Sequence, residues 1–242
     1  MYKRAVVLAG GKGTRLRPYT VVLPKPLMPI GEYPILEVIV RQLADHGFGH
    51  ITMAVNHQAG LIQAFFGDGE KWGVKIDYSL ETSPLGTVAP LLLLRDLPEH
   101  FLLMNGDILT DFDLGEFYAR HVAEHRLFTI GAARRTHMID YGVLDVDSRN
   151  TLSGFREKPF VEYLVSMGVY TLSREVLSAV PVDREFGFDD LMLELLERKL
   201  RVHVQRHDGY WRDIGRPDDY MQAIDEFEER GLSLVATCPA AS

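Results

Sequence analysis

Short runs of β-branched and aromatic residues alternate along this chain with segments of helical period, and that alternation restricts the fold to a mainly parallel sheet covered by helices. Strands are predicted at Arg4 to Leu8, Ile51 to Val55, Val74 to Ser79, Phe101 to Met104, Leu127 to Ala133, Gly142 to Val146, Leu164 to Thr171 and Val202 to His207. The clearest helix opens near Pro34, a residue suited to a first helical turn, and sets Ile35, Leu36, Ile39, Val40 and Leu43 on one face. Further helices are predicted over Leu61 to Phe66, Thr87 to Leu94, Leu114 to His125, Asp189 to Arg198 and Pro217 to Glu229. Without an internal repeat or low-complexity linker, the 242 residues are read as a single domain over 1–230 and a C-terminal tail over 231–242.

Charge and cysteine content narrow the classes of function. The 34 acidic against 26 basic residues leave a net charge of −8, which argues against a large nucleic-acid surface. Anionic substrates would have to be drawn by a local cluster of cations. The single cysteine, Cys238, lies in the tail, so neither a disulfide framework nor a cysteine metal site is expected. No run approaches the roughly 20 apolar residues of a membrane span. A soluble, cytoplasmic protein without a membrane partner is the expectation.

The first strand runs into Leu8-Ala9-Gly10-Gly11-Lys12-Gly13-Thr14-Arg15-Leu16-Arg17-Pro18, three glycines followed by positive charge. Missing side chains let backbone N–H groups approach phosphate, and Arg15, Arg17 and Lys25 can add charge-assisted hydrogen bonds. A dinucleotide loop is excluded because Leu16 stands at the third glycine, and a Walker A loop ending at Lys12 would need glycine at Val6. A plain strand-to-loop turn is the competing reading.

Three further segments carry candidate chemistry. Phe101 to Asp107 is an apolar strand ending in a carboxylate, and ligand sites in open α/β sheets lie beyond the carboxyl ends of strands. Asp213 sits between aromatic and glycine-containing flanks in Gly209-Tyr210-Trp211-Arg212-Asp213-Ile214-Gly215. Two carboxylates with waters and substrate phosphates suffice for magnesium, although each aspartate alone reads equally as a turn or cap residue. Asp111, Asp113, Asp218 and Asp219 are read as caps. Phe155-Arg156-Glu157-Lys158-Pro159 places opposite charges before a proline, which predicts an extended Lys158 with Glu157 on the opposite face. Such a pair is most often solvated surface.

Leu8 through Pro18, continued by Leu23-Pro24-Lys25-Pro26-Leu27-Met28-Pro29-Ile30, resembles the signature of the sugar-1-phosphate nucleotidylyltransferases, and the likeness extends over nearly all of residues 3–228. It is closest in appearance to the mannose-1-phosphate and heptose-1-phosphate guanylyltransferases. The resemblance implies a Rossmann-like α/β three-layer sandwich with a mixed, mainly parallel central sheet, of the nucleotide-diphospho-sugar transferase type. It implies a nucleotide site at Leu8, Gly10, Gly11, Gly13, Thr14, Arg15, Lys25, Glu81, Pro84 and Gly86, with Mg²⁺ on Asp107 and Asp213. It also implies a sugar-phosphate site at Tyr141, Gly142, Glu157 and Lys158. Arg15, Lys25, Asp107, Lys158 and Asp213 would be the catalytic set, acting on a nucleoside triphosphate and a sugar 1-phosphate, in a homodimer by analogy.

Two positions bear on specificity. Glu81 stands where thymidylyl enzymes of the family carry glutamine, and a carboxylate only accepts hydrogen bonds, so it suits the N–H and amino donors of guanine. GTP is therefore the favoured nucleotide, with CTP, UTP and dTTP as alternatives. Ser166-Met167-Gly168-Val169-Tyr170 departs from the family's Asn-Ala-Gly-Ile-Tyr, which reads either as a changed sugar pocket or as ordinary strand packing. A cytidylyltransferase for a non-sugar phosphate and a non-catalytic nucleotide-sugar-binding regulatory subunit are the rival functions.

Overall fold

The computed structural model describes residues 3–56, 58–81, 85–182 and 184–230. Its strands are β1 (Arg4–Leu8), β2 (Pro29–Ile30), β3 (Tyr33–Pro34), β4 (His50–Val55), β5 (Lys75–Leu80), β6 (His100–Asn105), β7 (Ile108–Thr110), β8 (Phe128–Met138), β9 (Val143–Val146), β10 (Leu152–Arg156), β11 (Phe160–Ser173), β12 (Val202–His207) and β13 (Trp211–Asp213). The α-helices are α1 (Ile35–Asp45), α2 (Ala59–Phe66), α3 (Leu114–Ala123), α4 (Phe188–Glu197) and α5 (Pro217–Arg230).

A central seven-stranded sheet has the order β12-β8-β11-β6-β1-β4-β5. All its neighbours pair in parallel except β11, which runs antiparallel to both β6 and β8. Alternate residues of β1 feed two cores, which is why Ala5 to Leu8 are apolar without interruption. Ala5 and Val7 pack with Leu36 and Leu43 of α1, Ile62 of α2, Phe117 of α3 and Ala223 of α5. Val6 faces the other way, toward Leu191 and Leu195 of α4 and the apolar turns around Leu91 and Val176. The three layers expected of the chain are present. No helix among the described residues is long and apolar enough to cross a membrane.

Two local expectations are corrected, and one pairing is new. Residues Thr87 to Leu94 do not form an α-helix; only a 3-10 turn spans Ala89–Leu93, because Pro90 supplies no backbone donor. Lys158 is not extended: its φ is +44°, in the bend of Glu157 and Lys158 that links the end of β10 to the start of β11. Short β7 and β13, too brief for any periodic signal, pair antiparallel with Asp213 opposite Ile108. Asp113 does cap α3, accepting from Glu116 N at 2.8 Å.

Beneath α3, fully buried His121 contacts Thr129 Oγ1 through Nδ1 at 2.9 Å and His100 Nδ1 through Nε2 at 3.2 Å. Burial, then the neighbouring His100 and Arg126 charges, push its pKa down to about 3. The unfolded imidazole protonates near 6.5, so between about pH 6.5 and 3 the unfolded chain binds the extra proton. Stability is therefore expected to fall as pH drops through that window, by up to ~1.4 kcal/mol per pH unit from this group. Urea titrations across the window should show a steeper loss for the native chain than for His121→Asn. Parallel curves would remove His121 as the cause.

Candidate active site

An open cleft of about 540 Å³ lies over the carboxyl ends of β1, β4, β5 and β6. Leu8 to Arg15, Lys25, Asn56, Glu81, Leu85 to Thr87, Asn105 to Asp107, Glu185 and Gly215 are among the residues that line it. The position is that expected of a ligand site in an open α/β sheet.

Backbone pairing holds the glycine loop in place. Ala9 N donates to Ala54 O at 2.8 Å and Gly106 N to Leu8 O at 2.9 Å, tying the loop to both neighbouring strand ends. Gly13 has φ +59°, and Thr20 Oγ1 donates to its carbonyl at 2.7 Å. A side chain there would meet Thr20 Cγ2 at 2.9 Å, so the curve of the loop depends on that glycine. Gly86 also lines the cleft, but its own constraint comes from behind: a Cβ would stand 2.6 Å from Phe186 O. That loop is fixed by Phe186 N to Leu85 O at 2.9 Å and Phe188 N to Thr87 Oγ1 at 2.9 Å.

Charges converge at the end of β6. Lys25 Nζ forms an ion pair with Asp107 Oδ2, while Asp107 Oδ1 is buried without a hydrogen-bond partner. Pairing of β13 with β7, with Ile214 N donating to Asp107 O at 3.1 Å, brings the distant Asp213 beside Asp107. The Asp213 carboxyl has a raised pKa, first through lost hydration and then through the Asp107 charge, with Lys25 and Arg15 opposing. An unsatisfied carboxylate oxygen next to a second carboxylate is a donor set that fits a hard divalent cation. Among the described residues no group of three or more His, Cys, Asp or Glu is placed to hold a metal ion.

Glu81 lines the same cleft, its pKa raised by burial while a backbone hydrogen bond from Leu85 opposes the rise. Pro84 lies outside the described residues, as does the tail with Cys238. The sugar-side residues are grouped elsewhere. Tyr141, Gly142, Glu157 and Lys158 are exposed on the arm formed by β9 and β10 and do not line the cleft. Gly142 and Glu157 are nonetheless neighbours, since a methyl on Gly142 would stand 3.2 Å from Glu157 Oε2 and 2.6 Å from Phe155 Cε2. Ser166 Oγ lies 2.9 Å from Tyr170 Oη, whereas Met167 is fully buried and its carbonyl accepts from Trp211 Nε1 at 2.9 Å. Met167 is a packing residue.

Sequence reasoning missed Lys12, Asn56, Asn105 and Glu185 as lining residues. Asn56 and Asn105 were findable, because each closes or follows an apolar strand as Asp107 does. Glu185 sits in an irregular loop with no local signal.

Residues 4–230 match the family described as Nucleotidyl transferase, and the chain belongs to it. It is 33% identical over 241 residues to UTP–glucose-1-phosphate uridylyltransferase of Synechocystis sp., covering 91% of this chain and 62% of that protein. It is 31% identical over 228 residues to mannose-1-phosphate guanylyltransferase catalytic subunit beta of Drosophila pseudoobscura pseudoobscura, covering 91% and 61%. The chain thus spans less than two thirds of the length of these curated relatives. Among solved structures, HddC from Yersinia pseudotuberculosis complexed with GMP-PN superposes with a TM-score of 0.71 at 27% identity, covering 94% of this chain and all of that one.

Proposed function

We propose that this chain transfers a nucleotidyl group from a nucleoside triphosphate, preferentially GTP, to a sugar 1-phosphate, giving a nucleoside diphosphate sugar and pyrophosphate. The observation that carries the reading is the meeting, at the strand ends, of the glycine loop with Arg15, the Lys25–Asp107 pair and Asp213. Family membership and the named activities of the relatives support the reaction class.

In this reading a sugar-phosphate oxygen attacks the nucleotide α-phosphorus in line, the α–β phosphoanhydride bond breaks, and pyrophosphate leaves with the bond electrons. The attacking phosphate is already ionised, so no general base is needed. Asp107 and Asp213 would hold Mg²⁺, whose contribution when bound is neutralisation of phosphate charge. Backbone N–H groups of Gly10 to Gly13 orient the triphosphate, and Arg15 and Lys25 offset charge building at the α-phosphorus. Glu157 and Lys158 on the arm hold the sugar hydroxyls and the attacking phosphate.

Glu81 and the GMP-PN complex of the similar HddC support guanine, whereas the uridylyl relative supports UTP. One matrix decides: each nucleoside triphosphate against hexose, heptose and amino-sugar 1-phosphates, scored by pyrophosphate release. GTP should give the highest kcat/KM, and Glu81→Gln should lower its advantage over dTTP by roughly tenfold, the equivalent of about 1.4 kcal/mol for one lost acceptor. Turnover only with a non-sugar phosphate, or nucleotide-sugar binding with no pyrophosphate exchange, would refute the reading.

A further inference from the structure

Strands β4 and β5 end side by side at the wall of the cleft. Val55 of β4 pairs with Leu80 of β5 in parallel register, and Glu81 N donates to Val55 O at 3.0 Å, carrying the ladder past the last paired residues. Asn56 and Glu81 are the next residue on each strand, and both line the cleft. Neighbouring strands lie about 4.8 Å apart, so two side chains rising from such neighbours span roughly the hydrogen-bonding edge of a purine. Among the described residues the side-chain amide of Asn56 has no hydrogen-bond partner. The Glu81 carboxylate accepts from the backbone of Leu85, across the same cleft wall. On the other flank a methyl on Gly10 would stand 3.1 Å from Asn56 Cβ, so the glycine leaves room for a flat ring beside the amide.

We propose that Asn56 is a base-specificity residue acting with Glu81: its amide Nδ2 donates to O6 of guanine while the Glu81 carboxylate accepts from N1–H and the 2-amino group. The inference rests on the nucleotidyl-transfer reading of the cleft and deepens it.

Guanine presents one acceptor and then two donors along that edge. Asn56 followed by Glu81 offers one donor and then two acceptors. Uracil and thymine present acceptor, donor, acceptor, which sets O2 against a carboxylate oxygen. Cytosine and adenine set a ring-nitrogen acceptor against the carboxylate, even when the Asn56 amide turns its oxygen toward their amino group. Polar groups of a site left unpaired or facing a like group are what reject a wrong ligand. The amide alone accepts either polarity, and the fixed polarity of Glu81 decides which way it turns.

The test is direct binding of nucleoside triphosphates in magnesium buffer, without sugar phosphate. Two analogues separate the contacts: 6-thio-GTP, in which a poor sulfur acceptor replaces O6, and inosine triphosphate, which lacks the 2-amino group. The native chain should bind GTP severalfold more tightly than either. Asn56→Ala keeps the Cβ beside Gly10 and the carbonyl that accepts from Ala59 N at 3.4 Å, so its melt should be native. It should weaken GTP about tenfold, erase the preference for GTP over 6-thio-GTP and keep the preference over inosine triphosphate. Equal weakening of all three would reduce Asn56 to packing and overturn the proposal. A native chain indifferent to sulfur at position 6, or one that binds UTP more tightly than GTP, would overturn it even if the variant unfolds. The expected binding pattern without pyrophosphate release from any sugar phosphate would refute the transfer reaction and leave the base contact standing. A chain that binds no nucleoside triphosphate would refute both.

Discussion

Asp107→Asn is expected to lower turnover at least about 100-fold, some 2.7 kcal/mol in transition-state stabilisation, with the melting temperature nearly unchanged. The side chain keeps its shape, and its backbone neighbours Gly106 and Ile214 keep their hydrogen bonds to Leu8 and to Asp107 O. What disappears is charge: Lys25 loses its counter-ion, and Asp213 is left as the single carboxylate for a divalent cation. The measurement is pyrophosphate release against magnesium concentration, paired with a thermal melt. A variant that turns over normally would sink the role given to Asp107, and one that has unfolded would shift the residue's importance to structure.

Gly86→Ala should be the most damaging single methyl addition near the cleft. At φ +87° an alanine is strained by roughly 1–2 kcal/mol, and its Cβ would sit 2.6 Å from Phe186 O and 2.8 Å from Phe186 C. Backbone cannot swing aside as a side chain can, so the two loops must separate, adding about 1–3 kcal/mol of overpacking cost. For a chain of 242 residues a total of ~2–5 kcal/mol lowers the melting temperature by roughly 4–20 °C. Parting the loops also displaces Leu85 and Thr87 from the cleft wall, so the KM for the triphosphate should rise severalfold. An unchanged melt with native KM would show that the loops are not locked together as described.

These two residues also mark what the chain discloses before it folds. Asp107 was legible because an apolar strand that stops on a carboxylate announces a strand end, and strand ends face ligands in this architecture. Asp213 stood out locally only by its aromatic and glycine-containing flanks, and its place beside Asp107 rested on resemblance, since it reaches Asp107 by the pairing of two three-residue strands that carry no period of their own. Gly86 was placed in the nucleotide site by resemblance, yet its strict constraint is Phe186, far along the chain, and local pattern holds no trace of such a partner. Lys158 shows the same limit in reverse. The rule for residues before proline predicts extension, but Lys158 stands in the bend of the three-residue link between β10 and β11, and the tertiary setting prevails. The reversed direction of β11 is likewise a property of its neighbours, and nothing in its own composition encodes it.

Strand β11 has mechanical consequences of its own. It is one span of 14 residues, with its last third clamped between β6 and β8 and its first third paired with β8 alone, beyond the reach of β6 and β12. It is therefore a cantilever, anchored in the sheet and carrying the arm at its free end. The register break between Ser166 and Tyr170 is the root of the beam, where bending concentrates. Gly168 lies in that root, so close that a methyl on it would stand 2.6 Å from Asn105 Nδ2, and Asn105 lines the cleft. If the arm holds the sugar as proposed, load taken up there would be delivered at the fulcrum, through Asn105, to the wall of the cleft.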